Sequence, residues 1–253
     1  MDIVELYNEI EGVPYTPFDS GKQLFNFVVE KKFKNCLELG FAHGVSSCYI
    51  AAALDELGDG HLTSVDLQNV ERHPSIETLL DKTNLARYVD VYREKTSYNW
   101  FLKKMIEAQT NNNMCEPLYD FCFIDGAKNW TIDGFAFFLV DKLLKPDGWI
   151  LFDDYDWTYA SINETVTDGV NHRDLGDDEL NTPHIELIFK LLILQHPNYS
   201  NFTIYNNNWL FAQKTTQPNT QPIQVVHKTS FLNILNTVGR KFYKTYVKSP
   251  PIH

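Results

Sequence analysis

Three acids and a lysine stand where a parallel α/β sheet would gather them. Asp125 and Lys128 lie in Phe123-Ile124-Asp125-Gly126-Ala127-Lys128. Asp153 and Asp154 lie in Ile150-Leu151-Phe152-Asp153-Asp154-Tyr155. Each set ends a short apolar run that reads as a buried strand, and open α/β sheets bind ligands in the crevice beyond the strands' carboxyl ends. Converging carboxylates repel one another and persist when solvated or neutralised. A divalent cation neutralises them, and an all-oxygen donor set favours Mg²⁺, Mn²⁺ or Ca²⁺ over zinc. The competing reading is one helix-capping acid plus solvated loop acids.

Upstream, another apolar run ends in Glu38-Leu39-Gly40-Phe41-Ala42-His43-Gly44. Glycines between a strand and a helix allow a tight turn and a close approach of backbone to ligand. The spacing is not that of a G-x-G-x-x-G dinucleotide fingerprint, and no Gly-Lys-Ser/Thr follows as in a phosphate-binding loop. Asp66 closes the run Ser64-Val65-Asp66, one βα unit after Glu38. An acid at that tip can accept hydrogen bonds from two ribose hydroxyls; otherwise it caps a helix or is solvated.

These residues need a particular scaffold. Nearly continuous apolar runs predict strands at 35–39, 61–67, 89–93, 119–125 and 149–153. Amphipathic stretches predict helices at 45–57, 76–85, 98–108 and 130–144, with Pro146 and Gly148 separating the last helix from its strand. A further helix is expected at 20–32, capped near Asp19 or Ser20. Helices at 158–172 and 184–195 and strands at 201–205 and 209–214 complete the pattern. The turn Asn206–Asn208 makes the last two strands a hairpin, because asparagine tolerates positive φ. The expected fold is thus a doubly wound α/β, seven-strand mixed sheet with a C-terminal β-hairpin and helices on both faces. Residues 109–117 and 215–222 read as loops. The expected division is one domain over 1–214 and a linker with a basic helical tail over 215–253, the helix at 231–247 carrying Arg240, Lys241, Lys244 and Lys248.

Composition narrows the partners. The chain has 253 residues, 43% hydrophobic and 22% charged, and a formal charge of −11, so nucleic acid is a poor substrate. Four cysteines without a CxxC pair or zinc spacing point to a reducing, cytoplasmic compartment. No apolar stretch is long enough for a membrane span, and the N-terminus is not a signal peptide.

The E-x-G-x-x-x-G pattern of Glu38, Gly40 and Gly44 resembles the first motif of class I S-adenosylmethionine-dependent methyltransferases, and the resemblance spans roughly residues 20–213. It implies a Rossmann-like fold with S-adenosyl-L-methionine held by Glu38, Gly40, Gly44, Asp66, Ser97 and Asp125. Asp125 and Lys128 followed by Asp153 and Asp154 look like the metal-dependent O-methyltransferases, of which the catechol O-methyltransferase group has Asp, Asp and Asn as ligands and a lysine base. The Phe152-Asp153-Asp154-Tyr155 string is closer to the macrocin O-methyltransferase type, which methylates sugar hydroxyls, although Lys128 departs from that group. The implied reaction is methyl transfer to a hydroxyl of a sugar, nucleotide-sugar or glycosylated small molecule. Asp125, Asp153 and Asp154 would bind Mg²⁺ (or Mn²⁺), and Lys128, Asp125 or Asp153 would do the catalytic work, with Lys128 or a carboxylate as the base.

Rival readings are a metal-independent N- or phenol O-methyltransferase, a non-catalytic nucleotide- or sugar-binding protein on the same fold, and a nicotinamide-dependent dehydrogenase, which the glycine spacing disfavours. His43 and His184 are alternative bases, more readily read as structural. Trp100, Trp130, Trp157 and Tyr155 are candidates for the acceptor pocket, and 171–179 for a covering loop. The basic helix is read as a homodimer contact, a site for a substrate phosphate, or a solvated end.

Overall fold

Along the central strands, alternate side chains enter two separate apolar layers. The computed structural model describes residues 2–68, 71–161, 175–216 and 222–227. The chain forms α1 (Ile3–Ile10), α2 (Phe18–Lys31), β1 (Asn35–Leu39), α3 (Val45–Leu57), β2 (His61–Leu67), α4 (Ile76–Lys82), β3 (Val89–Glu94) and α5 (Tyr98–Gln109). The short strands β4 (Thr110–Asn111) and β5 (Met114–Cys115) follow, then β6 (Tyr119–Ile124), α6 (Trp130–Leu143), β7 (Leu144–Phe152), α7 (Asp177–Asn181), α8 (His184–Ile188), β8 (Tyr199–Tyr205), β9 (Trp209–Lys214) and β10 (Gln224–Val226).

The main sheet has the order β10-β8-β9-β7-β6-β1-β2-β3. Pairings across it are parallel except those of β9 with β7 and β8. The connections from β1 lead outward to β2 and β3 on one side and to β6 and β7 on the other, so the switch point lies between β1 and β6, where such sheets open their ligand crevice. Phe121 and Phe123 of β6, with Trp209 and Phe211 of β9, face α1 to α4. Cys122, Ile124, Leu210 and Ala212 face α5, α6 and α8. This period-2 alternation between two covered faces is why the strand runs look continuously apolar. Helix α3 is buried nearly all round, as its run of three alanines allows where helices and sheet approach closely.

Several expectations are corrected. The sheet has eight strands rather than seven, because β10, lying beyond the expected boundary at 214, pairs with β8. Helix α2 begins at Phe18 behind Pro17 rather than at a cap on Asp19 or Ser20; proline's fixed φ starts the helix. An unexpected helix, α1, is capped by Asp2, whose carboxylate accepts from the Val4 amide at 2.8 Å. The expected loop 109–117 contains the β4–β5 hairpin, turning on Asn112 and Asn113 with φ of 49° and 63°. Pro146 and Gly148 do not precede β7 but lie inside it, at a register shift against β6; a bulge accommodates proline's missing N–H. The helix expected at 76–85 stops at Lys82, and that at 184–195 continues past α8 as a π-turn, Phe189–Ile193. At 158–172 only the 3₁₀ turn Tyr159–Ser161 is described, and within 171–179 the part from Asp177 belongs to α7. Residues 162–174 and the basic helix at 231–247 lie outside the described residues. No helix among the described residues is long and apolar enough to cross a membrane.

The α2–α3 packing rests on a missing side chain. A Cβ on Gly21 would run into the ring of Tyr49, itself fully buried. Gly21→Ala is expected to lower unfolding free energy by about 1–3 kcal/mol through overpacking; an unchanged urea midpoint would show that the two helices move apart freely.

Candidate active site

The turn after β1 is built for close approach. Gly40 has φ of 92°, and a Cβ there would sit 2.5 Å from the carbonyl oxygen of Asp125. Gly44, also at 92°, caps α3 and leaves room for Ile76. Below the turn, Glu38 is fully buried and accepts hydrogen bonds from Ser46 (2.6 Å), Ser47 and Ser64. Burial pushes its pKa up to about 7, against the opposing pull of the three hydroxyls. Glu38 and Gly44 therefore support the turn from behind rather than line the cleft. Asp66 does line the cleft. One of its oxygens accepts from the amides of Phe41 (2.9 Å) and Ala42 (2.8 Å), the other from Leu67 (2.7 Å). Ser97 caps α5 and also faces the cleft.

The sheet brings the expected acids together. Asp125, Asp153 and Asp154 each offer a carboxylate oxygen, and the three oxygens lie within 4.8 Å of one another. Lys128 Nζ sits 3.1 Å from Asp125 and 3.2 Å from Asp154. Asn208 Nδ2 donates to Asp153 at 2.6 Å. Lys128 and Asp154 both take left-handed backbone, φ 53° and 56°, a conformation that persists in non-glycine residues when the surroundings impose it. Burial raises the pKa of Asp125 and drives that of Asp153 well up. Burial alone would lower that of Lys128, but Asp125, Asp154 and Asp153 outweigh it and hold the ammonium protonated.

The segment between these residues is clamped from two sides. Tyr98 Oη accepts from the Ala127 amide at 3.2 Å and donates to the buried carboxylate of Asp133. Tyr159 Oη donates to the Ala127 carbonyl at 2.7 Å. Asp133 also accepts from the Asn129 amide at 2.9 Å, and burial raises its pKa to about 6.

A cleft of about 760 Å³ joins the pieces, within the range of small-molecule sites. Strand order places Asp66 and Ser97 on one side, the glycine turn and Asp125 centrally, and Asp153, Asp154, Asn208 and Trp209 on the other. Of the four aromatic candidates only Trp157 lines it. Trp100 lies on the surface, Trp130 starts α6, and Tyr155 packs against Phe189. His184 accepts the Trp130 amide at Nδ1 (3.0 Å), so Nε2 carries the proton donated to the Glu179 carbonyl; it is a structural histidine. His43 lies outside the cleft lining, its Nδ1 beside the Pro74 carbonyl.

Sequence reasoning did not single out Tyr15, Gln23, Arg72, Asn206 or Asn208 as lining residues, nor Tyr98, Tyr159 and Asp133 as supports. Gln23 offered a signal, as a polar residue on the buried stripe of α2. It is 8% exposed, lines the cleft, and its Nε2 is buried with no hydrogen-bond partner among the described residues.

A doubly wound sheet with a glycine turn after β1 and acids at the tips of β2, β6 and β7 defines the class I methyltransferase architecture. Residues 37–155, from within β1 through the acid pair after β7, match the family described as "Methyltransferase domain". No curated protein matches the sequence. Solved structures share the fold. The O-methyltransferase from Bacillus cereus in complex with SAH is 21% identical, the match covering 84% of this chain and 90% of that one at a TM-score of 0.57. The O-methyltransferase TomG from Streptomyces achromogenes, involved in tomaymycin synthesis and solved with SAM, is 15% identical over 84% and 87% of the two chains, TM-score 0.57. The SAH-bound methyltransferase PaMTH1 of Podospora anserina is 15% identical over 84% and 87%, TM-score 0.58.

Glu38 sets a pH dependence. Its folded pKa of about 7 lies above the ordinary 4.5, so the native state holds the proton more tightly, and stability is fullest below pH 4.5 and falls as pH rises to about 7. Glu38→Gln is expected to lack this fall. Between pH 4.5 and 7.5 the stability difference between wild type and variant should change by about 3 kcal/mol in urea titrations. Parallel pH profiles for the two proteins would contradict the assignment.

Proposed function

We propose that the protein is an S-adenosylmethionine-dependent O-methyltransferase that uses Mg²⁺ or Mn²⁺ to methylate a hydroxyl of a sugar-type small molecule. The observation that carries this reading is the convergence of Asp125, Asp153 and Asp154 beside the glycine turn. The residues fit both groups. The cleft has the volume for a nucleoside and an acceptor together, and it is lined by the buried Gln23 amide, which has no hydrogen-bond partner among the described residues. Three carboxylates with no nitrogen or sulfur ligand suit a hard cation.

When bound, S-adenosylmethionine supplies an electrophilic methyl group, and a divalent cation lowers the pKa of a hydroxyl beside it. The chain's own residues do the rest. The turn Gly40–Ala42 shapes the middle of the cleft, and Asp66 and Ser97 flank the nucleoside side. Asp125, Asp153 and Asp154 would hold the cation, with Asn208 fixing the orientation of Asp153. A carboxylate oxygen of the trio would take the hydroxyl proton, or Lys128 Nζ once a bound cation neutralises the acids that hold it protonated. The rigid turn at Ala127, held by Tyr98 and Tyr159, keeps these groups in register, and holding donor and acceptor in line supplies much of the rate.

A sugar-type acceptor is supported by the acceptor side of the cleft. The amides of Asn206 and Asn208 and the indoles of Trp157 and Trp209 line it, and such a mixture of hydrogen-bonding groups and flat apolar faces suits a polyhydroxylated ring. The resemblance of Phe152-Asp153-Asp154-Tyr155 to the sugar-modifying group points the same way. The acid cluster disfavours a metal-independent N- or phenol O-methyltransferase. The charge of −11 disfavours a nucleic-acid substrate. The four unpaired cysteines suit a reducing compartment such as the cytoplasm.

S-adenosylhomocysteine at 100 times its Kd should raise the melting temperature by about 5–10 °C, and further with Mg²⁺ than with EDTA. Asp153→Ala should keep that response to the nucleoside but lose at least about 100-fold in turnover on a hydroxylated acceptor. Wild-type turnover undiminished by EDTA would remove the metal from the proposal, and the absence of any thermal response would remove the methyltransferase reading.

A further inference from the structure

Two cationic side chains line the cleft among the described residues, and they differ in how they are satisfied. Lys128 is engaged by Asp125 and Asp154. Arg72 has no carboxylate partner among the described residues. Its guanidinium lies 5.6 Å from the centre of the Tyr15 ring, one terminal nitrogen is 3.4 Å from Tyr15 Oη, and Nε is buried without a hydrogen-bond partner among the described residues. Arg72 is only partly buried, but a buried N–H left with an unmade hydrogen bond is costly unless something else supplies the acceptor.

Its surroundings are arranged around the glycine turn. Tyr15 takes a left-handed backbone conformation, φ 90°, that a bulky residue adopts only when held there. The residue is 59% exposed, and its ring stacks on His43 with centroids 5.8 Å apart. His43 belongs to the turn and contacts the Pro74 carbonyl at 2.8 Å. The segment before α2, the glycine turn and the segment leading into α4 therefore meet at one point, and at that point stands an uncompensated cation in a strongly acidic chain.

We propose that Arg72 is an anion-recognition residue of this cleft, using Tyr15 as a platform and taking a carboxylate or phosphate group of a bound small molecule. The planar fork of a guanidinium pairs with either group bidentately, and stacking on an aromatic ring holds that plane in place. Two sources have this chemistry: the amino-acid carboxylate of a nucleoside cofactor in the glycine turn, and an acidic group on the acceptor. The stack of Tyr15 on His43 ties Arg72 to the turn and favours the cofactor carboxylate. The inference rests on the methyltransferase reading above.

The test compares S-adenosylhomocysteine with 5′-methylthioadenosine, which lacks the amino-acid part, by calorimetric titration of wild type, Arg72→Gln and Arg72→Lys. Glucose 1-phosphate is then added to the nucleoside-saturated proteins. If the cofactor carboxylate is the partner, Arg72→Gln weakens S-adenosylhomocysteine on the order of tenfold or more, leaves methylthioadenosine unchanged, and Arg72→Lys recovers part of the loss. If the acceptor supplies the anion, both nucleosides bind Arg72→Gln as they bind wild type, but the wild type's binding of glucose 1-phosphate is lost. Equal weakening of both nucleosides, or no change with any of the three ligands, overturns the proposal. Should Arg72→Gln not fold, the wild type still decides. Added salt must weaken S-adenosylhomocysteine or glucose 1-phosphate more than methylthioadenosine, and an equal response overturns it. A wild-type protein that binds neither nucleoside overturns the methyltransferase reading itself, whereas normal nucleoside binding with an indifferent Arg72→Gln overturns only the role of Arg72.

Discussion

The approach of two strand tips at Gly40 governs the site. A side chain on that residue would meet the Asp125 carbonyl and the Cα of Gly126, so β1 and β6 come this close only with glycine there. The Asp125 amide donates to the Leu39 carbonyl at 2.9 Å and that of Asp153 to Ile124 at 3.0 Å. The ladder is thus carried one residue beyond the strands, directly into the acids. From that seam the turn reaches Asp66, the acid cluster reaches Lys128, and the cleft opens between them.

Such a seam gathers negative charge in a region with little water, and the structure answers each carboxylate differently. Glu38, buried among three serine hydroxyls, keeps a proton readily. Asp66 spends its oxygens on backbone amides of the turn. Asp133 is bonded by Tyr98 and by the Asn129 amide. Asp125 and Asp154 share Lys128, and Asp153 takes the amide of Asn208. Five solutions to one problem separate supporting acids from those left facing the cleft. The supporting acids have their oxygens occupied by the protein, while the cleft-facing trio retains oxygens directed at one another.

Much of this was legible from the residues alone. The five parallel strands, the helices between them and the final hairpin followed from apolar periodicity and turn chemistry. The glycine turn and the acids at the tips of β2, β6 and β7 followed from their place at strand ends. Less legible were contacts that depend on packing between distant segments. Nothing local marks Tyr98 and Tyr159 as clamps on the Ala127 peptide, because they approach it from α5 and from the segment after β7. Nothing local marks β10, whose three residues become a strand only against the edge of β8.

By itself, the sequence determined the architecture and the line of acids, because strand periodicity and the glycine after β1 are local constraints that admit few alternatives. Tertiary structure decided which of those residues face the cleft. Glu38 and Asp66 end successive βα units and look equivalent in the chain, yet one is sealed under the turn and the other opens on the cleft. In register Glu38 stands opposite Ser64, so Asp66 shares its face of the pleated sheet but lies two residues further toward the cleft, where it reaches the amides of the turn, while α3 supplies two of the serines that seal Glu38. Pairing between distant strands and the packing of a helix decide this, and neither is written in the local pattern.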